Sequence, residues 1–490
     1  MSMSAVIAKR ILARTALGWN SNARFPTYRF NTIHPPRLTN HQSGSAGARL
    51  AQNVAGRSHA ARESCLNAQV VSVANVHVCT RKSPGQAVIS KPSLALSIVA
   101  VAKLLLSDQD ESDLITRAEA IIWEHVERPS MVKLQSLLLI IHYHIQKGHF
   151  SRAYMFAGLA ARGATALRLN YERPELNPIA QETRRRVLWA LTFVDGQFSV
   201  GLPEYETIPH TIIYQQLPSS EDMFSGNPQT EAQLSLLGAC VRISKIQKDI
   251  MRLTRQLALS EQPFAQLNGL VQEIQKDLWR LRAEVEISCG YSIWNPYEME
   301  KSRWFPRYLQ VSISWHQAHC DLYRLFLIGY PEAAPRVILD AIYIDVRDHA
   351  ARQCHEHVTQ VNRILSGLLN TSQLVLPHYI AICAYQATRL TLFLSSSPHV
   401  GLELDMTDAV QKAHTAVAVT QKYFSSPSTR ELVLDLQRLV QVADTDPEKL
   451  YSELCPSPSL DQGVHRHNHL AIHSLVRQAH FVDEGYENLT

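Results

Sequence analysis

From Leu236 the chain places apolar side chains at alternating intervals of three and four: Leu236, Ala239, Ile243, Ile246, Ile250, Leu253 and Leu257. After the short break SEQP the rhythm resumes through Phe264, Leu267, Val271, Ile274, Leu278, Leu281 and Val285. Such spacing keeps one side of an α-helix apolar and does not suit the two-residue alternation of a half-buried strand. Two stripes of matched length joined by a short connection predict a helical hairpin, with Pro263 near the start of its second arm. The favoured reading packs the two stripes against each other within one chain, over a coiled coil with a second chain, because the connection is short.

The same period runs through most of the chain. Leu94, Ile98, Val101 and Leu105 mark one helical face, Leu114, Ala118, Ile121 and His125 a second, and Leu134, Leu138, Ile141 and Ile145 a third. Ser130 is placed to cap the third helix and Gly148 to end it in a left-handed residue. Ala157, Gly158, Ala160, Ala161, Gly163 and Ala164 make a stretch small enough for another helix to come close. Helical periods recur at about 308–328, 340–369, 374–395, 407–424 and 430–443, with Thr407 as a cap. No stretch sustains alternation with turn signals, so the expected fold is all-α, a multi-helix bundle. Its expected bounds are 86–445, between an acid-poor, disordered segment at 1–85 and a His-rich C-terminal tail at 446–490.

Composition limits the function. Hydrophobic residues make up 46% and charged residues 19%, enough apolar material for a large core. The formal charge of +4 hides an asymmetry. Lys9 and eight arginines lie in residues 1–62 without one acid, which leaves the remainder at about −5. A mildly acidic body is poorly suited to neutralising phosphates along a duplex. The beginning, MSMSAVIAKRILARTALGW, has the composition of a basic amphipathic mitochondrial transit helix, of a solvated basic tail, or of coding sequence wrongly joined to the body. The eight cysteines, Cys65, Cys79, Cys240, Cys289, Cys320, Cys354, Cys383 and Cys455, are widely spaced and contain no C-x-x-C pair. Free thiols in a reducing compartment are the simpler expectation. The longest apolar runs are interrupted by Lys103 and Arg389, so neither is expected to span a bilayer.

Signatures of catalysis are missing from the sequence: there is no G-x-G-x-x-G, phosphate loop, G-x-S-x-G elbow or H-E-x-x-H. CHEH at Cys354–His357 holds ligand-type residues, but consecutive helical side chains fan around the axis and do not meet at one ion. His469 and His473 are four apart within the histidine-rich tail, which reads as a polar tail with adventitious metal affinity at most. The expected protein is not an enzyme and has no catalytic, cofactor or metal residues of its own.

One stretch remains, ETRRRVLWALTFVDGQFSVGLPEYETIP at 182–209. Asn177 and Pro178 open a helix there, with Ala180, Val187, Leu191, Val194 and Phe198 as its inward stripe. Glu182 stands four residues before Arg186, the favourable order for an ion pair, and Arg184 and Arg185 are expected on a solvated or internally paired face, with a phosphate-binding or import-signal role as the alternative. Together with SMVKLQSLLLIIHYHIQKGHFSRAYMFAGLAARGATALRLNYE at 130–172, IIYQQLP at 212–218 and WHQAHCDLYRLFLIGYPE at 315–332, this order of landmarks resembles the fungal-specific transcription factor domain. That domain is the middle homology region of zinc binuclear cluster regulators, and the resemblance covers roughly 93–400. By it the family signature falls on Glu182, Arg184, Arg185, Arg186, Trp189, Asp195, Gly201 and Pro203, with Leu202 where the family usually has an arginine. Those positions are expected to fix helix packing more than to touch DNA.

The resemblance implies a transcriptional regulator in the nucleus, whose helical module is controlled by a protein partner or a small-molecule effector. The family's zinc belongs to a six-cysteine DNA reader, and only Cys65 and Cys79 precede the helical body, so that reader is expected to be missing from this chain. Promoter attachment would then depend on a DNA-binding partner or on a missing segment. The alternative is a non-enzymatic helical interaction protein, placed in the mitochondrion by its acid-free beginning.

Overall fold

The computed structural model describes residues 91–106, 112–200, 202–219, 234–302, 304–371, 374–424 and 426–455. Among them are fourteen α-helices and no strand. The first five are α1 (Pro92–Leu106), α2 (Ser112–Glu124), α3 (Met131–Lys147), α4 (Phe150–Ala166) and α5 (Pro178–Ser199). The hairpin follows as α6 (Leu236–Ala258) and α7 (Leu267–Cys289), then α8 (Phe305–Tyr323) and the single turn α9 (Arg336–Leu339). The last five are α10 (Ile344–Asn370), α11 (Tyr379–Ser396), α12 (Met406–Tyr423), α13 (Pro427–Thr445) and α14 (Pro447–Leu454). Expectations placed on residues 1–85 and on His469 and His473 lie outside the described residues.

Local chemistry sets most of the boundaries. Ser130 Oγ accepts from Lys133 N at the start of α3, and Gly148 ends it at φ 76°, a conformation in which a side chain would be strained. Asn177 Oδ1 accepts from Ala180 N at 2.9 Å, with Pro178 in the first turn of α5. The cap of α12 is Asp405 rather than Thr407: its carboxylate accepts from Thr407 N at 2.9 Å. The second arm of the hairpin begins at Leu267, which leaves Pro263 and Phe264 in the connection. Leu278, Leu281 and Val285 of that arm are fully buried against α6 and α8.

Among the described residues three large apolar cores stack along the chain, beside a small cluster of Tyr385, Val417, Val433 and Leu436. The first joins α1 to α5, the second joins α6, α7 and α8, and the third joins α8 to α14 with the facing ends of α6 and α7. Helix α8 belongs to two of them. Tyr308, Val311, Trp315, Ala318 and Leu322 face the second core, while Phe305, Leu309, Ile313, Cys320 and Tyr323 face the third. All of its residues are buried, polar ones included, which is the condition of a helix surrounded by protein. Ile382 of α11 reaches back into the first core and ties the two ends of the body together. Helix α14 falls in the stretch read above as tail, yet Leu450 and Leu454 are buried in the third core.

Two faces differ from the periodic reading. In α2 the buried set is Ile115, Ala118, Glu119 and Ile122, and His125 lies past the helix end. The rotation buries the Glu119 carboxylate, which takes a 2.6 Å hydrogen bond from His144 and an ion pair from Arg152. In α5 charged residues are buried as well: Glu182, Arg184, Arg186 and Asp195 are all covered, whereas Ala180 and Val194 are only partly so. The segment 202–219 wraps the helix and bonds to Glu182, Arg186, Trp189 and Asp195.

Candidate functional site: the α5 clamp and the cleft beside it

Helix α5 carries Glu182, Arg185, Arg186 and Trp189 on one side and turns Arg184 and Asp195 to the other. Arg186 Nε donates to Glu182 Oε1 at 2.7 Å, and the two are 0% and 1% exposed. Glu182 Oε1 also accepts from Ser219 N at 3.0 Å, while Arg186 Nη2 donates to Ser219 O at 2.8 Å. Trp189 Nε1 donates to Gln216 O at 2.8 Å, so the pair and the indole fasten the same segment. Arg185 Nε meets Glu172 Oε1 at 2.7 Å, and that oxygen also accepts from Gln216 N at 2.9 Å. Arg184 Nη2 donates to Arg168 O at 2.8 Å, beyond the end of α4, where backbone carbonyls lack helical partners. Burial pushes the Arg184 guanidinium below its ordinary range, with Arg173 adding to the effect.

Farther along, Asp195 Oδ1 accepts from Thr207 N at 2.9 Å and from the Thr207 hydroxyl. Pro203 opens the 3-10 turn Pro203–Tyr205, which delivers Glu206 to Lys248 of α6 at 2.9 Å and to Arg252 at 3.0 Å. The clamp therefore runs from α4 through α5 to α6. Gly201 lies outside the described residues. Each of the three guanidinium groups of the triplet donates to a partner inside the chain, while Arg184 Nε is buried without one.

Farther along the face that carries Glu182, Arg186 and Trp189, the C-terminal half of α5 borders a cleft. Phe193, Gly196, Gln197 and Val200 form one wall, Ser244, Gln247, Lys248 and Met251 of α6 the second, and Tyr379, Ile382, Cys383 and Gln386 of α11 the third. It holds a cavity of about 60 Å³ within a depression of about 700 Å³ open to solvent. A Cβ at Gly196 would stand 3.1 Å from Lys248 Cε and Ser244 Oγ, so a bare backbone is what lets α5 and α6 close together here. Phe193, Gln197 and His378 are shared with a smaller cavity of about 40 Å³, lined also by His142 and Gln146 of α3.

Most polar groups of the cleft are engaged. Gln247 Nε2 donates to Tyr379 Oη at 2.5 Å, Gln386 Oε1 accepts from Gln317 Nε2 at 3.0 Å, and Asp321 pairs with Arg324 at 3.0 Å. His378 differs: it is 4% exposed, and neither ring nitrogen has a hydrogen-bond partner. His142 Nε2 and Gln146 Nε2 also have none. Burial holds both imidazoles down at about 4, with His378 adding to the depression of His142, so both are neutral at pH 7.

Sequence reasoning missed this cleft. Its only trace was histidine set among apolar residues, in IIHYH at 140–144 and LPHY at 376–379. The CHEH stretch resolves differently. Cys354 and His357 are buried on α10, and His357 meets His316 at 2.9 Å and stacks on His319 with centroids 4.0 Å apart and planes within 3°. Parallel stacked rings aim their lone pairs along separate planes. Among the described residues no group of three His, Cys, Asp or Glu is arranged to hold a metal ion.

Fold and site together define a helical module built for packing and contact. Residues 61–289 match the family model of the fungal specific transcription factor domain. The match includes every signature residue and the α6–α7 hairpin, and it stops before α8, so the likeness read at 315–332 lies beyond it. No curated protein and no solved structure matches the chain. No helix among the described residues is long and apolar enough to cross a membrane.

Proposed function

We propose that this chain is a transcriptional regulator acting in the nucleus, and that its helical body is a regulatory module rather than a DNA reader or an enzyme. The observation that carries the reading is the family match over 61–289. The clamp supports it, because the arginines that look most like a phosphate-binding patch in sequence are committed to Glu182, Glu172 and backbone carbonyls. A patch that spends its cations internally gains little counterion release on nucleic acid.

In this reading promoter attachment comes from a DNA-binding partner or from a zinc cluster outside the body. The body itself works without metal or other cofactor. Its input is contact with a protein of the transcription machinery or with a small-molecule effector. The test is a full-length chain carrying a fluorescent tag, together with the same chain fused to an unrelated DNA-binding domain upstream of a reporter. Nuclear enrichment and a change in reporter output are expected. Import into mitochondria with removal of the N-terminal segment, and a silent reporter, would overturn the proposal.

A further inference from the structure

We propose that the cleft between α5, α6 and α11 binds a small neutral molecule that carries a hydroxyl or primary carboxamide group on a compact apolar body. This names the chemistry of the effector in the reading above and rests on that reading only for its biological meaning.

The first observation is the unpaired polar cluster. His378 is almost fully buried with both nitrogens unmatched, and it stands between the two cavities beside His142 Nε2 and Gln146 Nε2, also unmatched. A buried polar group without a partner costs about 1–3 kcal/mol, so several gathered at one opening mark a place where a partner is missing. Stacking does not account for them: His378 touches the rings of Phe150 and Phe424, which satisfy neither nitrogen.

The second observation is charge. Lys248 is held by Glu206 at 2.9 Å with Asp195 at 3.9 Å, and Asp321 by Arg324 at 3.0 Å and Gln317 at 2.8 Å. No formal charge is left over to meet an ionic ligand, and an unmatched charge taken into this interior would be strongly disfavoured. A neutral imidazole presents one N–H and one lone pair, and the Gln146 amide nitrogen presents donors. The complementary group both gives and accepts a hydrogen bond. Hydroxyl and carboxamide groups do so; a carboxylate only accepts and an ammonium only donates. Phe193, Val200, Met251 and Ile382 supply the apolar remainder of the wall; the cavities of about 60 and 40 Å³ take the polar group, and the open depression beside them takes a single ring or a short chain.

The experiment titrates the purified full-length chain at pH 7.5 with benzamide and benzyl alcohol as neutral probes, and with benzoate and benzylamine as charged counterparts of the same shape. Saturation-transfer NMR reads binding. At least one neutral probe is expected to bind saturably, about tenfold or more tightly than either charged one. His378→Phe keeps the ring and removes both nitrogens. It is expected to raise the melting midpoint of the free protein while weakening the neutral probe at least tenfold, a combination that a purely structural histidine does not give. Met251→Phe narrows the cavity from the α6 side and is expected to weaken the same probe if His378→Phe does not fold. Absence of saturable binding by both neutral probes, equal binding of the charged ones, or unchanged binding in the variants would overturn the proposal and leave the cluster to enclosed water alone. Because binding is read directly, failure here is separate from failure of the nuclear role.

Discussion

Arg186 has no exposed surface, and its guanidinium is divided between Glu182 and the carbonyl of Ser219. A charge in that position is tolerable only while its partner remains. Replacing one member of a buried ion pair strands the other and typically costs about 3–5 kcal/mol, whereas removing both together often costs far less. Arg186→Met is therefore expected to destabilise the chain by about 3 kcal/mol or more in urea unfolding, and addition of Glu182→Leu to restore part of that loss. Full additivity of the two changes would contradict the pairing. At Trp189, Phe keeps the ring but loses the 2.8 Å bond to Gln216 O. Trp189→Phe is expected to cost about 1–2 kcal/mol and to speed amide exchange in 214–219, which hydrogen-exchange mass spectrometry reads locally.

Two glycines on helices make opposed predictions at the scale of the element. Nothing lies within 4 Å of a Cβ built on Gly158 of α4, so Gly158→Ala is expected to stabilise by about 0.5–1 kcal/mol through helix propensity alone. On α10 the Cβ of Gly367→Ala would press into the ring of Tyr297, whose hydroxyl donates to Ile364 O at 2.6 Å. The same substitution is expected to destabilise there, and thermal melts of the two variants should move in opposite directions. The same two levels decide what could be read from sequence. Period and caps were legible because they are local: Ser130, Gly148, Asn177 and the hairpin stripes from Leu236 to Leu257 and from Leu267 to Val285 stand where spacing placed them, with Phe264 left in the connection. The buried carboxylate of α2 and the buried charges of α5 were not legible, since they depend on His144 and on segment 202–219, remote partners that no helical period encodes. Of the cleft, sequence showed only its histidines, because the opening exists where helices distant in the chain meet.

Across the whole molecule, buried imidazoles set the response to acid. Burial, with neighbouring charges, holds His142, His210 and His378 at about 4 and His357 at about 3. His316 and His319 are held well below their ordinary range by the same cause. The unfolded chain takes up protons near 6.5 that the folded chain refuses, so stability is complete above that pH and declines as pH falls toward 4. Each such histidine adds a slope of up to about 1.4 kcal/mol per pH unit in that window. The melting midpoint is expected to be nearly level from pH 7 to 8 and to fall steeply from 6.5 to 5, with His378→Phe removing about one proton from the slope. A midpoint independent of pH between 5 and 7 would rule this out.

Helix α8 sits where the second and third cores meet, yet it begins sixteen residues after the recognised family segment closes at Cys289. A fragment cut at that edge would carry Leu278, Leu281 and Val285 without the helix that covers them. The stretch that heredity marks as a unit is thus not the stretch that thermodynamics can close, and its outer border is an interior surface waiting for the remainder of the polypeptide.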